Sequence, residues 1–266
     1  MDAALFSVKN IIKIFPDPST GEPFTALNDI SLDIYAGQCM VLAGSNGSGK
    51  TLLMRIIAGL LEPSGGDVLF QGQSLYGSSQ EAGRRRTTEK ALRRELGLVL
   101  QDADAQIVGE TVAEDAAFGP ENLGFCAAEV STCVDKALAA LGLSGKRLCS
   151  PRRLSGGEKR RLAIAGVLSM GCNTIIMDEP FANLDWPGVV QTLSIIRDLK
   201  NEGKTLIILT HELEKILALS DRLVILHRGI IRADGLPVQV LDTLDHSWGV
   251  RDPRLDANNG LAHIHL

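Results

Sequence analysis

The chain has 266 residues, of which 45% are hydrophobic, and it carries a formal net charge of -5 at pH 7. This length allows a substantial core, either in one large α/β domain or in a domain with an appendage. The negative charge argues against a nucleic-acid-binding protein, because such proteins normally present a basic face. The apolar segments are all shorter than a membrane span, so we expect the chain itself to be soluble. The five cysteines lack metal-ligand spacing, which indicates reduced core residues of a cytosolic protein.

Short apolar segments in the first hundred residues predict strands of a buried sheet. Four strands are expected there, at residues 31–34, 39–44, 66–72 and 96–100. A helix is predicted to begin at Lys50 and to stop at Pro63, since its apolar residues form one stripe. The charged segment at residues 80–96 is predicted to be helical in its second half.

The second part of the chain begins with a helical zone, predicted from about Thr111 to Met170. Breaks are expected at Gly119-Pro120 and around Ser150-Pro151, because proline disfavours a continuous helix. Three more apolar strands are predicted, at residues 174–178, 205–210 and 222–226. The alternation of strands and helical segments is typical of a parallel sheet. From Gly235 onward the sequence becomes polar, and we interpret the remainder as a small tail.

The sequence GSNGSGKT at residues 44–51 matches the phosphate-binding pattern G-x-x-x-x-G-K-[ST] and lies between a predicted strand and a predicted helix. Backbone N–H groups of such a loop surround phosphate oxygens. The Lys50 ammonium neutralises phosphate charge and the Thr51 hydroxyl can bind Mg²⁺. The predicted nucleotide-binding residues are Gly44, Ser45, Asn46, Gly47, Ser48, Gly49, Lys50 and Thr51. A chance glycine turn is a poor alternative, because the whole pattern and both flanks fit.

Polar side chains follow three other predicted strands. Asp178 and Glu179 lie at the carboxyl end of a strand, the edge where open α/β sheets bind ligands. Neighbouring strand side chains point to opposite sides, so we predict that Asp178 belongs to the Mg²⁺ shell and that Glu179 orients or deprotonates water. Gln101 and His211 have the same placement, and each is a weak signal alone. A purely structural histidine is an equal alternative at His211.

The segment LSGGEKRR at residues 154–161 allows two interpretations. A helix that begins with Ser155, Gly156 and Gly157 offers N–H donors, a hydroxyl and a favourable dipole to a phosphate. Alternatively, Ser155 and Glu158 satisfy each other in a capping box.

The order of these motifs resembles that of the ATP-binding subunits of ABC transporters. The resemblance covers roughly residues 5 to 232 and includes the sequence NLD at residues 183–185. It implies an α/β P-loop NTPase of the ABC ATPase fold, with a parallel-sheet core, an antiparallel β subdomain and a helical subdomain. The ATP-binding domain would cover residues 1–234, with the helical subdomain at about 102–170 and a short tail at 235–266.

The same resemblance implies an ATPase with ATP and Mg²⁺ as cofactors. Phe15 would stack on adenine, with Phe24 as the alternative. The remaining roles are catalysis by Glu179, His211 and Gln101, binding of Mg²⁺ by Thr51, Gln101 and Asp178, and nucleotide contact by Ser155, Gly156, Gly157 and Asp185. In this family two subunits pair head to tail, so LSGGE of one would close over ATP bound by the other. Whether the second subunit is identical stays open.

Residues 101–124 resemble the corresponding segment of energy-coupling-factor transporters, which import vitamins or transition-metal ions such as cobalt and nickel. This implies a transmembrane coupling protein and a substrate-binding membrane protein as partners, no nucleic acid, and a peripheral location at the cytoplasmic face of the cell membrane. From Glu95 to Asp135 there are nine acidic residues and no Lys or Arg. They predict a docking face for basic helices of the membrane partner, or alternatively a solvated acidic surface.

Two alternative functions and one feature of the tail are left to consider. A conventional ABC transporter ATPase and a soluble ABC ATPase of the iron–sulfur assembly type are the alternative functions. His246, His263 and His265 could bind a transported metal, but we favour a flexible tail.

Overall fold

The computed structural model describes residues 3–17, 19, 21–77 and 82–257. The chain forms two compact units, the first from residues 1–92 and 207–266 and the second from residues 93–206. The strands are Phe6–Pro16 (β1), Pro23–Ile34 (β2), Cys39–Ala43 (β3), Gly65–Phe70 (β4), Gln73–Ser74 (β5), Leu96–Val99 (β6), Thr174–Asp178 (β7), Thr205–Thr210 (β8), Arg222–His227 (β9) and Ile230–Gly235 (β10). The helices are Lys50–Ile57 (α1), Ala82–Glu95 (α2), Ala103–Gln106 (α3), Val112–Asn122 (α4), Ala127–Ala140 (α5), Gly156–Ser169 (α6), Trp186–Asn201 (α7), Leu213–Ile216 (α8), Pro237–Asp242 (α9) and Arg254–Ala257 (α10).

The first unit contains an antiparallel sheet and strands of a mixed one. In the antiparallel sheet the order is β2-β1-β4-β5, and the buried rings of Phe6 and Phe70 pack with their centroids 5.2 Å apart. In the mixed sheet the order is β10-β9-β3-β8, where β3 pairs in parallel with β9 and β10 pairs antiparallel with β9. All five residues of β3 are buried, as expected for a central strand covered on both faces.

In the second unit β6 pairs in parallel with β7. Helices α4, α5 and α6 pack against one another beside these strands. Gly97 of β6 permits the close approach of α6, because a Cβ at that position would lie 2.2 Å from Val167 Cγ1. All seven predicted strands are thus confirmed, whereas β1, β5 and β10 escaped prediction.

Helix α4 continues through Pro120, so the predicted break at Gly119-Pro120 is wrong. Proline lacks the N–H that would bond to the carbonyl oxygen four residues earlier, at Ala116. That oxygen instead accepts a hydrogen bond of 2.6 Å from Ser169 Oγ of α6. Gly119 lets α6 approach, since a Cβ there would lie 2.5 Å from Met170 Cγ. A contact between two helices therefore replaces the bond that proline removes.

Helix α1 ends at Ile57, so the predicted stop at Pro63 is also wrong. Gly59 adopts a φ of 72°, the left-handed conformation that terminates many helices. Leu60, predicted on the buried stripe, is 66% exposed as a consequence.

The cysteines divide into three classes of exposure. Cys39 and Cys172 are buried, as predicted, Cys133 and Cys149 are half-buried, and Cys126 is exposed. The predicted core position is therefore wrong for Cys126, which precedes α5 at its N-terminus. Burial raises the pKa of the Cys172 thiol to about 11, so this thiol is protonated at neutral pH.

The described part of the predicted tail is ordered and packs within the first unit. Val240 and Leu241 of α9 are buried, and the Trp248 carbonyl oxygen lies 3.1 Å from His227 Nδ1. Of the three tail histidines, His246 is exposed, and the other two lie outside the described residues. None of the helices in the described ranges combines the length and hydropathy that crossing a bilayer requires.

Candidate active site

The loop at residues 44–49 connects β3 to α1 in the first unit. Gly47 and Gly49 have φ values of 78° and 105°, which glycine adopts at little cost. At Gly44 a Cβ would lie 2.2 Å from the Leu226 carbonyl oxygen, so no other residue fits there. Around Gly47, by contrast, the position of a Cβ has no atom within 4 Å among the described residues. The loop is thus close to the sheet at its start and open at its tip.

Lys50, the first residue of α1, is only 6% exposed. Its Nζ donates hydrogen bonds to the carbonyl oxygens of Gly44 at 2.7 Å and Ser45 at 3.3 Å, so the ammonium lies inside the loop. Ser48 is 3% exposed, and its Oγ has no hydrogen-bond partner among the described residues. A buried hydroxyl in this state fits an anionic ligand such as a phosphate.

Three further predicted residues of the first unit lie at its surface. His211 is exposed and directly follows β8, as expected. Phe15 and Phe24 are paired across β1 and β2, with 37% and 58% of their surfaces exposed. Lys13 Nζ lies 5.1 Å from the centroid of the Phe15 ring. The two alternatives for stacking on adenine are therefore neighbours in one hairpin.

In the second unit, Asp178 ends β7 and is 6% exposed, and Glu179 follows with 5% exposed. Glu179 has a φ of 46°, an uncommon conformation for a residue other than glycine. Its carbonyl oxygen accepts hydrogen bonds from Ala182 N at 3.1 Å and from Arg160 Nη2 at 3.2 Å. Such backbone strain concentrates at functional sites, where the surroundings maintain it.

Arg160 of α6 was not among the predicted site residues. In the sequence it stands between Lys159 and Arg161, and such a run of cations is typical of a solvated surface. Arg160 is only 4% exposed. Its Nη1 donates to the Leu100 carbonyl oxygen at 2.8 Å, and its Nη2 donates to that of Gln101 at 2.9 Å. Burial lowers the pKa of the guanidinium, while the carboxylates of Asp178 and Asp102 oppose this shift. Arg160 thus joins α6 to the ends of two strands.

Gln101 is exposed and follows β6, as predicted. It borders a cleft of about 360 Å³ in the second unit, together with Gly156, Lys159 and Asn183. Arg160 also lines this cleft, next to the predicted site residues Gln101 and Gly156.

The capping box predicted for α6 is present. Ser155 N donates to Glu158 Oε2 at 2.9 Å, and Glu158 N donates to Ser155 Oγ at 3.3 Å. The hydrogen bond from Lys146, with that from the Ser155 N–H, lowers the pKa of Glu158 to about 2. Because Ser155 Oγ acts as an acceptor here, its O–H still has a proton to donate. The cap and a phosphate contact are thus chemically compatible.

Asp185, predicted to contact nucleotide, caps helix α7. Its Oδ1 accepts a hydrogen bond of 3.0 Å from Gly188 N. Asp185 is nevertheless exposed, and its second carboxylate oxygen can still accept a further bond.

Most acidic residues between Glu95 and Asp135 form hydrogen bonds or ion pairs within the second unit. Their partners are Thr174 for Glu95, Asp104 N for Asp102, Lys159 for Asp104, Thr111 N for Glu114, Val108 N and Gly109 N for Asp115, Cys126 N for Glu129, and Arg147 for Asp135. Glu110 and Glu121 are exposed on the walls of two clefts of about 680 and 430 Å³. The acidic character of this segment therefore reflects helix caps and internal ion pairs more than a uniform surface.

Comparison with known proteins shows likeness over most of the chain. A family model described as ABC transporter matches residues 27–182. The chain is 39% identical over 249 residues to a putative ABC transporter ATP-binding protein of Halobacterium salinarum, covering 94% of this chain and 100% of that protein. It is 41% identical over 216 residues to the cobalt import ATP-binding protein CbiO of Rhodobacter capsulatus, covering 81% and 75% of the two chains. The energy-coupling factor transporter ATP-binding protein EcfA of Methanosarcina acetivorans is 37% identical over 252 residues, with 94% and 87% covered.

Solved structures give a consistent result. The structure of cbiO1 from Clostridium perfringens, part of the ABC transporter complex cbiONQ, matches with a TM-score of 0.78 at 29% identity. That match covers 98% of this chain and 100% of the other. A dimeric bacterial ABC transporter cassette shares the fold, with a TM-score of 0.75 at 24% identity over 87% of this chain and 98% of that one.

Proposed function

Because the chain belongs to the ABC transporter family, as an ATPase subunit of the energy-coupling-factor type with the P-loop ABC fold, we propose that it powers an importer of transition-metal ions or vitamins. The observation that supports ATP as its ligand is the glycine loop, with a buried Lys50 ammonium and a buried Ser48 hydroxyl that lacks a partner among the described residues. The relative named for cobalt import favours a metal ion such as cobalt or nickel as cargo.

The phosphates of ATP bind to the N–H groups of residues 44–51, and Lys50 moves from the loop carbonyls to the phosphate oxygens. The residues that would hold Mg²⁺ are Thr51, Asp178 and Gln101, because a hydroxyl, a carboxylate and an amide oxygen are ligands of the kind that this ion prefers. When bound, Mg²⁺ neutralises charge on the transferred phosphoryl group.

Glu179 acts as the base that orients or deprotonates the attacking water. Its burial supports this role, since a carboxylate shielded from solvent interacts more strongly with a single bound water. His211 contacts the developing phosphate from the end of β8. The adenine ring stacks on Phe15 or its partner Phe24, and the neighbouring Lys13 adds positive charge to that hairpin.

Two subunits share each ATP in this proposal. Ser155, Gly156 and Gly157 of one chain close over the nucleotide in the loop of the other, and Asp185 contributes at the same interface. Support comes from the exposed N-terminus of α6 and from the unused O–H of Ser155. Nucleotide binding then favours the closed dimer, and hydrolysis allows it to open.

The partners in this proposal are a transmembrane coupling protein and a substrate-binding membrane protein, which hold the chain at the cytoplasmic face of the membrane. The cleft between α4 and α5, with apolar residues such as Phe125 and Val130 and the acidic Glu121 on its rim, suits an amphipathic basic helix. Phe118, 55% exposed on α4, adds apolar surface.

Two substitutions test the ATPase mechanism. Glu179→Gln should retain ATP binding, lower turnover at least about a hundredfold because the base is lost, and accumulate an ATP-bound dimer. Lys50→Ala should instead abolish nucleotide binding. Fluorescent-nucleotide titration, phosphate release and size-exclusion chromatography measure these effects, with the exposed Glu202→Gln as control. Normal turnover of Glu179→Gln, or unchanged affinity of Lys50→Ala, contradicts the assigned roles.

Docking is best tested at Glu110 and Glu121, because reversing Asp102 or Asp104 would also break a helix cap or an ion pair. Glu110→Lys with Glu121→Lys should weaken co-purification with the membrane partner and leave ATP turnover of the free subunit intact. Glu202→Lys, at the exposed residue that caps the C-terminus of α7, is the control. Unaltered co-purification would favour a solvated acidic surface.

A further inference from the structure

Arg160 makes three hydrogen bonds, and all of them reach main-chain oxygens at strand ends. They join the guanidinium to Leu100, Gln101 and Glu179, at 2.8, 2.9 and 3.2 Å. We propose that Arg160 is a positioning residue for ATP hydrolysis, which holds the main chain of Gln101 and Glu179 in register with helix α6. This proposal rests on the function proposed above for Glu179.

Arginine is the side chain that suits this position. Its planar guanidinium presents five N–H donors in a fixed geometry, so two nitrogens can serve three carbonyl oxygens. Lysine would place one compact ammonium at the same site and could not span both strand ends. A buried charge is costly unless it is well hydrogen-bonded and compensated, and Asp178 and Asp102 provide negative charge near Arg160. For packing alone, an apolar side chain would serve at lower cost.

The bond to Glu179 bears on catalysis through the backbone. With a φ of 46°, Glu179 adopts a conformation that the surrounding contacts have to maintain. Its carbonyl oxygen is held by Ala182 N from the following turn and by Arg160 from α6. The direction of the Glu179 side chain follows from this backbone, so loss of Arg160 displaces the carboxylate from the attacking water.

The position of Arg160 in α6 adds a second consequence. Ser155 and Gly156 begin this helix, and Arg160 lies about one turn further along the same rigid element. A displacement of the helix start, when it closes over a nucleotide on the second subunit, therefore moves the guanidinium as well. Arg160 passes that displacement to Gln101 and Glu179 together, so the hydrolytic residues are aligned when the dimer closes.

The test is a set of substitutions in the full-length chain. Arg160→Met, which keeps an unbranched apolar stem but removes every donor, should lower kcat by about a hundredfold, the cost expected for a small misplacement of a reacting group. The KM for ATP and the affinity for a fluorescent ATP analogue should stay unchanged, because the glycine loop is intact. Arg160→Lys should recover part of kcat. Arg197→Met, which removes a half-buried guanidinium from α7, is the matched control and should turn over normally.

A double substitution tells a positioning role from general loosening. In the Glu179→Gln background, Arg160→Met should cause a much smaller further loss of residual hydrolysis, because the part of its effect that acts through the Glu179 carboxylate is already absent and only the part through Gln101 remains. An equal fall in both backgrounds, normal turnover of Arg160→Met, or a parallel loss of nucleotide affinity would each overturn the proposal. If Arg160→Met does not fold, as judged by circular dichroism, Arg160→Lys supplies the same comparison. Normal turnover of Glu179→Gln alone would instead refute the proposed base.

Discussion

Lys146 Nζ lies 2.5 Å from Glu158 Oε1, and this ion pair fixes the carboxylate that closes the capping box of helix α6. The same carboxylate accepts the Ser155 N–H through its other oxygen. The start of α6 is therefore held by Lys146, from the 3₁₀ turn Ser144–Lys146, as well as by its own cap. Helix α6 begins with Ser155, Gly156 and Gly157, which are proposed to close over the nucleotide of the second subunit, and it also contains Arg160. The stability of this helix therefore affects both groups of residues.

The first prediction concerns pH. The hydrogen bond from Lys146 is the main cause that lowers the pKa of Glu158 from its ordinary value of 4.5 to about 2. Its stabilising contribution is therefore complete above pH 4.5 and is lost as the pH falls towards 2. Glu158→Gln, which keeps the cap but not the charge, should lower the midpoint of thermal unfolding at pH 7, and the difference from the parent should shrink as the pH approaches 3.

Lys146→Met is the matched control for that measurement, because it removes the same ion pair from the other side. Its unfolding midpoint at pH 7 should fall by an amount similar to that of Glu158→Gln. A difference between parent and Glu158→Gln that stays constant from pH 7 to pH 3 would show that the ion pair does not contribute as described.

The second prediction tests the two-chain site. Ser155→Arg places a long cation where a phosphate of the second subunit's nucleotide would bind, so hydrolysis and ATP-dependent dimerisation should be lost. Binding of a fluorescent nucleotide to the monomer should be nearly intact, because the glycine loop is unchanged. Loss of the N-cap also costs about 1 kcal/mol of unfolding free energy, which urea titration measures separately. A loss of monomer affinity as large as that of Lys50→Ala would mean that Ser155 serves only as a cap.

Much of the site was predictable because its residues lie next to strands. The order of an apolar strand, a glycine loop and a helix defines residues 44–51 locally. Asp178 ends β7, His211 directly follows β8, and Gln101 lies two residues after β6. The buried strands β3, β7 and β8 are easily recognised in the sequence, since all of their residues are apolar or threonine except Asp178 at the end of β7. The half-exposed strand β1 gave no comparable pattern.

The missed features depend on partners that are distant in sequence. Arg160 pairs with main-chain oxygens, which carry no sequence signal, and Lys146 and Glu158 are separated by an irregular segment. The acidic segment likewise looked like one surface, although Asp115 is 8% exposed and accepts the Val108 and Gly109 N–H groups. The local sequence pattern thus predicted which residues lie at strand ends. It could not predict which charged side chains pair within the fold, because that depends on tertiary contacts.

The third prediction concerns Pro120 in helix α4. Ser169→Ala removes the donor to the Ala116 oxygen, and a buried unsatisfied carbonyl costs about 1–3 kcal/mol. Pro120→Ala supplies a main-chain N–H that can bond to the same oxygen. The cost of Ser169→Ala, measured by urea unfolding, should therefore be smaller in the Pro120→Ala background. Ser194→Ala on the exposed face of α7 is the control, and an equal cost of Ser169→Ala in both backgrounds would contradict the exchange of donors.

The last prediction links the C-terminal segment to the glycine loop within the first unit. Gly249 has a φ of 70°, and a Cβ at this position would lie 3.0 Å from Ser45 Cβ. The adjacent Trp248 carbonyl oxygen is held by His227 Nδ1, which must carry a proton because a carbonyl only accepts. This hydrogen bond keeps the segment around Gly249 close to the glycine loop. The methyl group of Gly249→Ala should therefore displace Ser45.

We expect Gly249→Ala to weaken nucleotide binding by roughly fivefold, which corresponds to about 1 kcal/mol of overpacking. Gly72→Ala is the matched control, because Gly72 has a φ of 76° and its Cβ position is open to 4 Å within the described residues. Both substitutions impose similar left-handed strain, so their difference in affinity reports the contact with Ser45 alone. Equal affinities of the two variants for a fluorescent ATP analogue would show that the C-terminal segment leaves the glycine loop unaffected.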